Sequence, residues 1–453
     1  MSIETALTAL QGDITAARAA VTAKGGTVTS GGGSSQLAGD IATIPSGGRW
    51  TRPAEWPDYS QIDLTGQEVL YITTRYEDEL SGFSLSFSGG SVQVERGNII
   101  NGEFIAEDVY VVASGAVRVY LDPTWGEYQV FRFTPVVSLT GVVTDYLYGG
   151  TLAAIVEVYG RLPGWTDIQV TGYRIEHIEL YDAAARLAFL CSGCVSLRRF
   201  DGLNTWDFSN TTSLLRAFGQ TLLEELDLSG ADLSNCADTS LSGFWPPTAT
   251  LRKLNLSGVK LPIGVKTFSL FSYKLEELDV TNLDVSHVTS FNRCLYGVKC
   301  NNIIGLNTWD VSGCLNFEVM FGGNIRSITP SGTIDLRGWQ VNPEATGLGT
   351  VLENTLAEEI YLTGIDAGAN FGTISAYGLI TTAFPLREYR AAKIYTSCNF
   401  SPCNMLSHDS LISIIDNLVS TTTAQKLTLG TTNRGKLTAS EIAVATEKGW
   451  TVA

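Results

Sequence analysis

One phrase recurs through the middle of the chain and constrains what it can fold into. Leu223-Glu224-Glu225-Leu226-Asp227-Leu228-Ser229-Gly230 returns as Leu251-Arg252-Lys253-Leu254-Asn255-Leu256-Ser257-Gly258, and again as Leu275-Glu276-Glu277-Leu278-Asp279-Val280-Thr281-Asn282. The copies start 28 and 24 residues apart. A second phrase, Leu-Asn-Thr-Trp-Asp, stands at 203–207 and 306–310, a separation of 103 residues, or about four periods of 26. A third runs from a Ser to an aromatic or Leu nine residues on: Ser209 to Phe218, Ser286 to Leu295, Ser312 to Phe321, with a copy one residue longer from Ser234 to Phe244.

A period in the twenties carrying LxxLxL is the sequence form of a leucine-rich repeat. Side chains alternate across a strand, so Leu-x-Leu reads as a short strand. A single such strand cannot bury its apolar side chains; stacked copies form a parallel sheet over one continuous core. The Ser-to-Phe phrase is the return arm. Its apolar pairs Leu214/Phe218, Phe291/Leu295 and Phe317/Phe321 are four apart, which predicts one face of a helical turn.

The stretches 306–323 (LNTWDVSGCLNFEVMFGG) and 283–297 (LDVSHVTSFNRCLYG) resemble the BspA-like leucine-rich repeats of bacterial surface proteins and phage tail proteins. Met320-Phe321 keeps the final pair of that family's usual wording, and Leu214 and Phe291 replace its first Met. The resemblance implies a repeat array that presents a binding surface.

The rest of the chain divides around the array. Residues 1–48 read as an N-terminal helical segment for attachment and oligomerisation. Ile3, Leu7, Leu10, Ile14, Ala17 and Val21 are spaced 4-3-4-3-4, an a/d heptad seam that predicts a short coiled coil. Gly25-Gly26 and Gly31-Gly32-Gly33 follow as a linker. Residues 49–170 carry short alternating strands such as Phe83–Phe87, Val117–Leu121 and Val130–Phe133, the pattern of a β-sandwich. The array takes 171–405. A capping repeat takes 406–453, with an α/β sequence and a capping box at Thr438-Ala439-Ser440-Glu441. The fold class expected is therefore multidomain: N-terminal coiled-coil helix, all-β sandwich, leucine-rich-repeat solenoid and α/β C-terminal cap.

Composition narrows the function. The 453 residues carry a formal charge of −16, which disfavours nucleic acid, since phosphate binding needs clustered Lys and Arg. No run of 18 apolar residues predicts membrane insertion. The opening Met1-Ser2-Ile3-Glu4 has no leader pattern, which fits a virion protein made in the host cytoplasm. Cys191 and Cys194 have metal-type spacing but no second ligand pair, and the eight cysteines read as reduced thiols of the core. No nucleophile, metalloprotease or phosphate-loop motif is present, so neither catalysis nor a cofactor nor a metal is expected.

The reading that follows is a phage tail fibre or tail-tip protein. It would form a homotrimer through residues 2–24, join other tail or baseplate proteins there, and bind a host cell-surface glycan or protein through the array. Trp245, beside Pro246-Pro247 in the longest repeat, is the first receptor-binding candidate, followed by Tyr273 and Tyr296. The alternatives are a bacterial surface adhesin, a polysaccharide-cleaving tailspike and a purely structural virion subunit.

Overall fold

The computed structural model describes residues 50–453 apart from 77–81, 146–153, 164, 166, 171, 185–189, 192, 239–240, 242–243, 247–249, 271–274, 297, 299, 301, 323–330, 353–354 and 373–384. Its first strands are long: β1 (Val69–Arg75), β2 (Gly82–Ile100), β3 (Glu103–Tyr120) and β4 (Tyr128–Asp145). Then come β5 (Ile155–Arg161), β6 (Asp167–Gln169), β7 (His177–Tyr181) and β8 (Arg199–Asp201). All eight belong to one sheet, ordered β3-β2-β4-β1-β5-β7-β8 with β6 beside β4.

The expected β-sandwich over 49–170 is corrected by this order. Strands β1 to β5 pair antiparallel, but β5 pairs parallel with β7, and β7 with β8. The antiparallel strands thus continue edge to edge into the repeats and do not form a closed pair of facing sheets. Alternation in a strand shows that its faces differ; it does not show which sheet the strand joins. One face buries Leu70, Ile72, Phe83, Leu85, Phe131 and Phe133 in the main core. The other buries Tyr71, Val130 and Tyr159 under Tyr59, Ile62 and Leu64 of the preceding segment. That explains why Val69-Leu70-Tyr71-Ile72 is buried without a break.

The repeats follow as β9 (Glu225–Asp227), β10 (Lys253–Asn255), β11 (Glu277–Asp279), β12 (Asn302–Ile304), β13 (Ser331–Asp335), β14 (Leu356–Tyr361) and β15 (Glu388–Arg390). They form one seven-stranded sheet in chain order, every pair parallel. In register, Leu226, Leu254 and Leu278 stack inward. The outer leucines of the phrase, Leu223 and Leu228, are also fully buried. The apolar phrase therefore wraps a turn as well as the strand.

The return arm is not a helical turn. Arg216, Arg293 and Val319 stand at the same place in three coils, each with φ between 52° and 53°. That left-handed residue stops a helix. The arm is instead tied to the next coil, with Phe291, Arg293 and Leu295 donating their N–H to the carbonyls of Asn316, Glu318 and Met320. The i, i+4 spacing arises because the chain kinks between two inward side chains. Glycine is required just before each Leu-Asn-Thr-Trp phrase. Gly202 and Gly305 have φ of 90° and 87°, and a Cβ there would lie 2.2 Å from the Leu180 carbonyl oxygen or the Thr281 Cα.

The chain closes with β16 (Cys398–Asn399), α1 (His408–Asp416), β17 (Gln425–Thr428), α2 (Gly430–Arg434), α3 (Ala439–Glu447) and β18 (Trp450–Val452). Ser407 caps α1, and Thr438 and Glu441 form a reciprocal capping box on α3. Lys448 donates to the carbonyls of Ile415 and Asp416, holding α3 against the end of α1.

The expected helix-led fold class is corrected as well. Among the described residues, β-structure dominates and the three α-helices all follow residue 407. None is long and apolar enough to cross a membrane. Three heptads are near the lower length for a stable helix in water, and such a pattern does not by itself make a helical domain. Ile3, Leu7, Leu10, Ile14, Ala17 and Val21 lie outside the described residues.

Candidate functional site

A three-residue strand with its middle side chain inward sends both flanking side chains to the other face. In β8 to β11 these are Arg199 and Asp201, Glu225 and Asp227, Lys253 and Asn255, Glu277 and Asp279. They line a trough of about 360 Å³ that runs across the strands to Ile304. The second row is fixed by local turns: Asp227, Asn255 and Asp279 each accept a backbone N–H two residues on, at 2.9–3.0 Å. In the first row Lys253 pairs with Glu277 at 2.8 Å. The lining holds five carboxylates and two cations. None of these side chains serves the core, which is closed from the opposite side by the leucines.

A second hollow of about 370 Å³ opens on the same face at β5 and β7. Tyr159, Arg161, Glu179 and Tyr181 form its floor, and Asp63 with its loop forms one wall. The Tyr181 hydroxyl donates to Glu179 at 2.7 Å. The Arg161 guanidinium pairs with Asp182 and donates to the Gln67 carbonyl at 3.1 Å. Burial pushes the Tyr159 phenol up to about 12.

Between the hollows lies a buried polar chain that spacing alone does not reveal. His177, 4% exposed, meets Glu157 through Nδ1 at 2.8 Å and Asp201 through Nε2 at 2.9 Å. The Arg199 guanidinium donates to Asp201 at 2.6 Å. Behind, the Thr73 hydroxyl bonds Glu157 at 3.3 Å and the Tyr59 hydroxyl at 2.7 Å. Burial works against charge on His177, but the hydrogen bonds to Asp201 and Glu157 outweigh it and raise the imidazole above its ordinary value. Burial likewise opposes ionisation of Asp201, yet bonds from His177 and Arg199 hold it below the usual carboxylate range. The imidazole lies between two carboxylates, and three strands, β5, β7 and β8, contribute to one ion-paired chain with Thr73 of β1 hydrogen-bonded behind it.

Donor atoms of His177, Glu179 and Asp201 lie within 4.8 Å of one another, close enough to consider a metal. Both ring nitrogens are already engaged, however, and Arg199 occupies the same Asp201 oxygen as His177. A divalent cation there would have to displace the His177 proton and face a guanidinium, so the geometry fits an ion-pair chain better than a metal centre.

The aromatic candidates fall elsewhere. Trp245 is half-buried against the main core, its ring 4.8 Å from that of Phe244. Among the described residues its buried indole N–H has no acceptor. Tyr296 is half-buried and lies 5.5 Å from the Arg293 guanidinium. Neither lines the trough, and Tyr273 lies outside the described residues. What sequence reasoning passed over is the polar side of the repeat strand itself. Its signal was present in the paired acidic and basic residues that flank each inward leucine.

Together these features define a solenoid of short parallel strands with a polar trough on its outer strand face. No known protein family, curated protein or solved structure matches the chain.

Proposed function

We propose that the protein is the receptor-binding component of a phage tail, and that the outer strand face of its repeat array engages a host cell-surface target. The observation that carries this reading is the trough from β8 to β12, a surface of fixed side chains that the fold does not need for its core. Repeat arrays use such continuous faces for recognition. The resemblance of 283–297 and 306–323 to repeats of phage tail and bacterial surface proteins supports the same assignment. The acidic lining favours neutral or hydroxyl-rich targets over phosphate polymers. The paired carboxylates here are held by turns and ion pairs, which suits recognition better than acid/base turnover.

The test uses the labelled full chain on a panel of bacterial strains, with the Glu225→Lys/Asp227→Asn variant, which alters the charge and keeps the Asp227 turn, as control. Saturable binding to particular strains, lost in the variant and competing with phage adsorption, is the expected result. Absence of binding to every strain that the phage infects would contradict the reading.

A further inference from the structure

We infer that the ligand of this face is an extended, uncharged glycan chain lying across the strands, with one end seated on Tyr181. The inference rests on the receptor-binding reading above and names its ligand class.

Length comes first. The two hollows lie on neighbouring strands of the same face, since Glu179 of β7 pairs in register with Asp201 of β8. From Tyr159 on β5 to Ile304 on β12 there are five paired strand steps and the junction between β8 and β9, or roughly 29 Å of surface at about 4.8 Å per step. A span of that kind takes a polymer and not a single small molecule.

Charge comes next. The cations of the trough are already paired, Lys253 with Glu277 and Arg199 with Asp201. A polyanion would meet the surplus of carboxylates. A cationic peptide would crowd against Arg199 and Lys253 or break their pairs. A hydroxyl both donates and accepts. It can donate to Asp227 or Asp279 and accept from Lys253 without leaving a buried charge bare. Backbone recognition is disfavoured as well: β10 and β11 are paired on both sides, and β8 and β9, the ends of their two sheets, abut each other, with the Glu224 N–H donating to the Arg198 carbonyl at 3.1 Å. Tyr181 supplies the remaining element. Its ring borders the second hollow, and its hydroxyl is fixed on Glu179. An aromatic face beside a carboxylate suits the C–H face and the hydroxyl edge of a pyranose.

The experiment compares binding of the labelled full chain to untreated, periodate-oxidised and protease-treated cells of a strain it recognises. Periodate cleaves vicinal diols of sugars and protease removes surface protein. The same assay is run with Tyr181→Ala and with Asp227→Asn/Asp279→Asn. The Asn variants preserve the fold, because Asn255 already makes the same turn in β10. The expected result is loss of binding after periodate, no loss after protease, and at least a tenfold weaker apparent affinity in both variants, with purified surface polysaccharide competing. Loss after protease alone would overturn the glycan assignment while leaving receptor binding intact. Unchanged affinity in both variants would overturn the placement of the ligand on this face. Failure of the chain to bind any cells would instead remove the functional reading beneath both.

Discussion

Trp206 and Trp309 occupy the same place in coils four strands apart. The indole of Trp206 donates to the Leu180 carbonyl at 2.7 Å, and that of Trp309 to the Val280 carbonyl at 3.0 Å. Each acceptor stands two residues after the inward strand residue of its coil, Leu180 after Ile178 and Val280 after Leu278. Each indole thus ties its own coil to an earlier one while its ring fills the core. Replacing Trp309 by Ala should cost about 3–5 kcal/mol, as for other buried aromatics. Trp309→Phe should cost less, since bulk is kept and only the hydrogen bond is lost. Urea midpoints with unchanged slopes would measure both. A loss under about 1 kcal/mol for Ala would show that the ring is not part of the core.

Leu254 tests the strand stack. It is 3% exposed and lies in register between Leu226 and Leu278. Leu254→Ala should destabilise by about 2–5 kcal/mol. A near-zero change in the unfolding midpoint would count against an inward position.

Val319 tests the return-arm kink. Its φ of 52° is uncommon for a β-branched residue, and left-handed backbone costs roughly 1–2 kcal/mol in such residues. Asn tolerates that conformation, so Val319→Asn should be neutral to stabilising by up to about 1 kcal/mol after some lost packing. A strongly destabilised variant would mean that the side chain packs more than the backbone strains.

These elements show what was legible in the sequence. The inward leucines could be read because one triplet carries strand, turn and core at once. The return arm was misread because a spacing of four fits a helical turn and also a kinked arm with both side chains inward. The antiparallel strands could be located, but alternation at Phe83–Phe87 says nothing about β5 pairing parallel with β7. The chain Glu157–His177–Asp201–Arg199 was hidden for the same reason, since β5, β7 and β8 meet only through sheet order. Trp245 drew notice for its Pro neighbours, yet a Trp beside a buried Phe244 completes the core edge.

The His177 chain has a pH signature. Its folded-state pKa is raised above the ordinary 6.5. The stability it contributes is therefore fully present below pH 6.5 and is lost as pH rises through the raised folded-state value. The groups facing it are Glu157 and Asp201, with Arg199 and Glu179 beyond. The stability gap between the natural chain and His177→Gln should be widest near pH 6 and narrow toward alkaline pH. Urea unfolding across that range checks it, and a gap independent of pH would mean that His177 is neutral in the folded protein.

We propose that the outer strand face recognises the cell. The most direct measurement is the apparent affinity of the full chain for host cells before and after Glu225→Lys/Asp227→Asn, which keeps the Asp227 turn as Asn255 does, with circular dichroism and urea midpoints confirming an intact fold. The account predicts that binding falls at least tenfold while the fold is retained. Equal affinity in the two proteins would contradict it and move the recognition surface off the trough.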